Sequence, residues 1–136
     1  MATEIALLDS HALIWWLGDE LGRLGRSARR FVEAVDRGHA VACVSTLSLV
    51  ELSEQARRGR VQLPEPFEKL VTRLESTPAR YLVVPFTAAM AVRAHDLHAI
   101  PERGDRLIAA TALELGYPLV TRDPEIVAAV GGEHLW

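Results

Sequence analysis

Four short apolar runs, "IALL" at 5–8, "AVACV" at 40–44, "RYLVVPF" at 80–86 and "YPLVT" at 117–121, are the strongest constraint on how this chain can fold. None shows the clean in/out alternation of a strand with one wet face, so each reads as a strand covered on both faces. The segments between them carry helical spacing instead. Leu13 to Leu17 begins one helix, "SARRFVEAVDRG" ends a second on Gly38, and "LSLVELSEQARRG" ends a third on Gly59. Glycine just past a helix is the usual left-handed stop. "EPFEKLVTRLES" follows a proline start, "AAMAVRAHDLHAI" is a further helix, and "DRLIAATALELG" closes on Gly116. Strands alternating with helices imply a three-layer α/β/α arrangement around a mostly parallel sheet. With 136 residues, 49% of them hydrophobic, residues 1–136 are expected to form a single domain with a full core.

Parallel sheets place chemistry at the carboxyl ends of their strands, where strand order reverses. Asp9 ends the first strand and Asp123 follows the fourth, with Thr121 just before it. Asp105 opens the "DRLIAATALELG" helix, and Glu51 lies inside the helix after the second strand. Each acid also has a purely structural reading. Asp9 or Ser10 can cap the helix that follows, Asp105 can cap its own, and Asp123 can cap "PEIVAAV", where Pro124 suits the first helical position. Glu51 is flanked at helical spacing by Leu47, Val50, Leu49 and Leu52, which argues for burial, and a buried carboxylate needs a partner. Glu54, one turn on and nearer the arginines, reads as a solvated charge.

Several carboxylates in one pocket raise one another's pKa unless a cation neutralises them. A hard divalent ion such as Mg²⁺ or Mn²⁺ suits oxygen-only donors. The chemistry that such a group supports is phosphodiester hydrolysis, in which a cation activates water and stabilises the departing oxygen.

The motifs resemble those of the PIN-domain ribonucleases of the VapC toxin type, the toxic half of bacterial type II toxin–antitoxin pairs. "LLDSHALIWWL" is similar to the family's first-strand motif, and "VSTLSLVELSEQARRGRV" to its second. "RGDRLIAATALELGYPLVTRD" resembles the last block, with the third and fourth acids. The resemblance implies a PIN fold and a metal-dependent endoribonuclease, with Asp9, Glu51, Asp105 and Asp123 as catalytic, metal-binding acids and Ser10 and Thr121 as polar supports. It further implies neutralisation by a VapB-type antitoxin, whose basic segment enters the cleft, and a homodimer. Many relatives carry Asp-Pro-Phe directly before the third acid. Glu102, Arg103 and Gly104 stand here instead, leaving Glu102 as a candidate outer acid.

Other features point elsewhere or nowhere. Cys43, the one cysteine, lies in an apolar run and reads as a small core residue, which fits a reducing, cytoplasmic setting. No leader or membrane-length apolar run is visible. His95 and His98 stand one helical turn apart, without further ligands to complete a zinc site. Trp15 and Trp16 can stack on bases but suit core or interface packing better. All but one of the cationic side chains are arginines, which is compatible with a phosphate-bearing or acidic partner, although the net charge is a mild −3. A phospho-receiver also gathers acids at strand ends, yet Lys69 lies in the wrong segment for one. A non-catalytic antitoxin-binding module is the other alternative.

Overall fold

The computed structural model describes residues 4–136. Five strands, β1 (Ile5–Leu8), β2 (Val41–Ser45), β3 (Tyr81–Val84), β4 (Leu119–Val120) and β5 (His134–Leu135), form one sheet in the order β3-β2-β1-β4-β5. Every pairing is parallel. Parallel neighbours need crossovers, and seven helices supply them or flank them: α1 (Ser10–Leu17), α2 (Arg26–Asp36), α3 (Thr46–Arg57), α4 (Phe67–Glu75), α5 (Ala88–Asp96), α6 (Arg103–Leu115) and α7 (Pro124–Val130). The sheet grows from β1 outward in one direction through β2 and β3, then in the other through β4 and β5. The order therefore reverses between β1 and β4, and a crevice opens there at the carboxyl ends of the two strands.

Strand alternation divides the core between the two faces of this sheet. Ala6, Leu8, Ala42 and Val44 pack with α1 to α4 on one side, around Leu13, Val32, Leu52 and Leu70. Leu7, Cys43 and Leu119 face the other way, onto Ile108, Ala109, Ala112 and Ile126 of α6 and α7. Burial pushes the Cys43 thiol up to about 12, so it is an inert core group. Helix α1 is buried along Ala12–Leu17, which explains its run of six apolar residues. Trp16 Nε1 donates to Asp36 Oδ2 at 3.3 Å, and the Ser10 and Ser48 hydroxyls, 2.9 Å apart, tie α1 to α3. Leu52 is fully buried in α3 beneath this contact. Truncating it to alanine is expected to lower unfolding free energy by about 2–5 kcal/mol in urea titration, and a loss under about 1 kcal/mol would place it outside the core.

Several boundaries differ from the sequence expectations. Helix α5 stops at Asp96, so His98 lies beyond the helix and the His95–His98 turn does not form. Helix α6 begins at Arg103, two residues before Asp105. Strand β5 was not anticipated, because a two-residue strand has no measurable period and exists only through its pairing with β4. The glycine stops hold, with Gly59 and Gly116 both at φ 71°.

Candidate active site

The acids assemble at the β1/β4 switch. Asp9 follows β1 directly and is 6% exposed. Its Oδ1 accepts from the Ala12 amide at 2.8 Å, so Asp9 is the N-cap of α1. Asp123 caps α7 in the same way, with its Oδ1 accepting from the Glu125 amide at 2.9 Å. Capping and clustering are not alternatives here. A carboxylate has two oxygens, and in both residues the cap engages Oδ1 and leaves Oδ2 for its neighbours.

Asp105 does not cap its helix. The cap position belongs to Glu102, whose side chain makes no capping bond, and Asp105 sits in the first turn of α6. There one of its carboxylate oxygens lies within 4.8 Å of one from Asp123. Partial burial, the Asp123 contact, and the nearby charges of Asp123, Glu102 and Asp9 raise the Asp105 carboxyl to about 7. Asp9 is also raised, chiefly by burial. The Thr121 hydroxyl and the Ala12 amide oppose that shift, as does His11, while Asp123 adds to it. Thr121, fully buried, further accepts from the Asp123 amide at 3.1 Å. Thr121 thus lies against Asp123 through its hydroxyl and beside Asp9.

Asp9, Ser10, Glu51, Glu102 and Asp105 line one small recess. Gly104 lies between these carboxylates, and a Cβ there would stand 3.9 Å from Oε1 of both Glu51 and Glu102. Glu51 itself is exposed, which corrects the expectation that apolar neighbours bury it. Val50 is 57% exposed, so that face of α3 borders a groove rather than the core. Glu125 was not singled out in the sequence, since a glutamate in the first turn of a helix carries no distinguishing signal. One carboxylate oxygen each of Asp105, Asp123 and Glu125 lie within 4.8 Å of one another. Asp9 and Glu51 stand beside this trio rather than in it.

The donor set is oxygen only, and burial together with the neighbouring carboxylates raises Asp105. Both properties fit a hard divalent cation, which would relieve the repulsion.

Residues 6–132 match the family model of the PIN domain. The chain belongs to the PIN-domain family. It is 38% identical over 122 residues to Ribonuclease VapC22 of Mycobacterium tuberculosis, covering 86% of this chain and 85% of that protein. Among solved structures, this PIN domain resembles the VapBC2 complex of Rickettsia felis bound to a promoter DNA fragment, with a TM-score of 0.65 and 17% identity over 96% of each chain. It also resembles FitAcB of Neisseria gonorrhoeae, with a TM-score of 0.60 and 19% identity over 96% of this chain and 95% of that one. At those identities the structural likeness concerns the fold alone. Among the described residues of this PIN domain, no helix is long and apolar enough to cross a membrane.

Proposed function

We propose that this PIN domain is a divalent-metal-dependent endoribonuclease, the toxin of a bacterial toxin–antitoxin pair. The observation that carries the reading is the cluster of Asp105, Asp123 and Glu125, with carboxylate oxygens within 4.8 Å of one another, in a chain 38% identical to a named VapC ribonuclease. Asp9, Asp105 and Asp123, with Glu51 at the rim, are the acids that would hold Mg²⁺ or Mn²⁺. Glu125 joins them on geometry, and Glu102 serves as an outer acid. When bound, such an ion supplies charge neutralisation and Lewis-acid stabilisation of a phosphodiester undergoing hydrolysis. The protein's own residues supply orientation. The caps at Asp9 and Asp123 fix two carboxylates to helix starts, Thr121 sets their spacing, and the Ser10–Ser48 contact holds the Glu51 helix against α1.

An antitoxin is the partner this reading assigns. Next to the acids lies a groove of about 370 Å³, lined by Leu47, Val50, Glu51, Glu54, Glu102 and Leu107. Apolar walls with three acids suit an amphipathic segment carrying arginine, whose guanidinium forks onto carboxylates. A homodimer and a cytoplasmic site of action belong to the same reading.

Incubating purified protein with total RNA tests the proposal. Cleavage is expected with Mg²⁺ or Mn²⁺ and none in excess EDTA, and full activity in EDTA would refute the mechanism. Glu51→Gln is expected to remove activity while Glu54→Gln, which stands in the groove and not in the acid recess, retains most of it. Equal losses would mean that the wrong glutamate has been assigned.

A further inference from the structure

Beside the acid recess lies a second cavity, of about 390 Å³, with the opposite chemistry. It shares His11 and Glu51 with the recess, so the two adjoin across those side chains. Its remaining wall includes Trp15, Arg23, Arg60 and Arg122. The Trp15 ring is only 5% exposed because cations and rings cover it. The Arg23 guanidinium lies 4.5 Å and that of Arg122 5.0 Å from the ring centroid. His11 stacks at 5.5 Å, and Trp136 meets the ring edge-on at 5.9 Å while also lying 5.9 Å from the Arg122 guanidinium.

A guanidinium resting on an aromatic face uses its plane for that contact and keeps its edge donors for a ligand. Arg23 engages one of them with Glu20, through Nη1 to Oε2 at 3.1 Å. Arg60 and Arg122 have no ion-pair partner among the described residues. The three arginines outnumber the two glutamates of this cavity, Glu20 and Glu51, and leave it net positive. Arg60 and Glu20 also line a larger hollow of about 680 Å³ running past Gly18 and Pro64, so the groove continues away from the acids.

We infer that Arg122, Arg23 and Arg60, the first two held on Trp15, form a phosphate-binding subsite that positions the RNA backbone to one side of the scissile bond. The inference rests on the ribonuclease reading and deepens it. A polyanion has no electrostatic reason to approach a cluster of carboxylates, and the arginine cavity provides one at the edge of that cluster. Because the subsite reads phosphates, it adds affinity and register without base specificity. Trp15 acts as a positioning residue through the two guanidiniums.

Binding of a labelled single-stranded oligoribonucleotide to the full chain in EDTA, followed by fluorescence anisotropy across a salt series, tests this without cleavage. Arg122→Gln and Arg60→Gln are each expected to weaken binding about tenfold and to flatten the log–log salt slope by about 0.7. Arg122→Lys, which keeps the charge and loses the planar fork, should fall between wild type and Arg122→Gln. Arg93→Gln is the control, since Arg93 pairs with Glu114 near the last turn of α6, about 14 Å along the helix from Asp105. In cleavage assays with Mg²⁺, the arginine variants should raise KM with kcat largely kept, whereas acid variants lower kcat. Affinity and slope within twofold of wild type for both Arg122→Gln and Arg60→Gln would overturn the subsite, as would an equal loss from Arg93→Gln. Lost inhibition by the cognate antitoxin with unchanged RNA affinity would assign the arginines to a protein partner and overturn it too. RNA bound in the expected pattern yet never cleaved would sink the ribonuclease reading and leave the subsite standing.

Discussion

Asp105→Asn is expected to lower RNA cleavage at saturating Mg²⁺ by about 10³-fold or more, while leaving the protein folded and more heat-stable in EDTA at neutral pH. The loss follows from its position, with a carboxylate oxygen within 4.8 Å of one from Asp123 and near the charges on Asp9 and Glu102. The gain in stability follows from linkage. The Asp105 carboxyl sits at about 7 in the folded protein against an ordinary value of 3.8. Between those values the native state binds more protons than the unfolded chain, so rising pH destabilises the metal-free fold. The penalty is absent below the lower value and complete above the upper one. Melting temperatures of wild type and Asp105→Asn in EDTA should therefore coincide near pH 4 and separate progressively up to about pH 7, with the variant higher. A constant gap across that range would remove the clustered-carboxylate account, even if activity were lost.

Added Mg²⁺ should produce the second large effect, raising the melting temperature of the wild type. A ligand that binds only the native state at a hundred times its dissociation constant stabilises it by about 2.7 kcal/mol. Asp9→Asn separates this contribution from helix capping. Asparagine caps about as well as aspartate, and the bond from the Ala12 amide uses a single side-chain oxygen that asparagine also has. The variant should therefore keep its fold and lose most of its response to Mg²⁺. Thermal unfolding at fixed ionic strength, so that screening does not imitate binding, checks this. A full Mg²⁺ response in Asp9→Asn would return Asp9 to the role of a cap alone.

The sheet and most helices could be read from the chain because apolar runs and glycine stops are local signals. The misreadings concern features that only tertiary contacts decide. Glycine has poor helix propensity, so nothing in "ERGDRL" announces that α6 starts at Arg103 and carries Gly104 in its first turn. Apolar neighbours suggested that Glu51 is buried, but Val50 faces a groove, and sequence spacing cannot tell a groove from a core. Glu125 could not be singled out, because only the fold brings the first turn of α7 beside that of α6. For Asp9 and Asp123 capping does not exclude a ligand role, since the cap bond takes Oδ1 of each and leaves the other oxygen free.

The pairing of β1 with β4 joins Leu8 to Val120, so the first acid meets its neighbours only across nearly the whole length of the chain. A ribosome adding about 5–20 residues per second needs roughly 6–23 s to pass from Asp9 to Asp123. During that interval the nascent polypeptide has the strand that carries Asp9 but no crevice, because β4 and α7 do not yet exist. Any truncated translation product ending before β4 likewise has no assembled acid cluster. Hydrolytic capacity is thus withheld until β4 and α7 have been made, and their emergence, rather than folding of an early segment, sets the earliest moment at which the acids can act together.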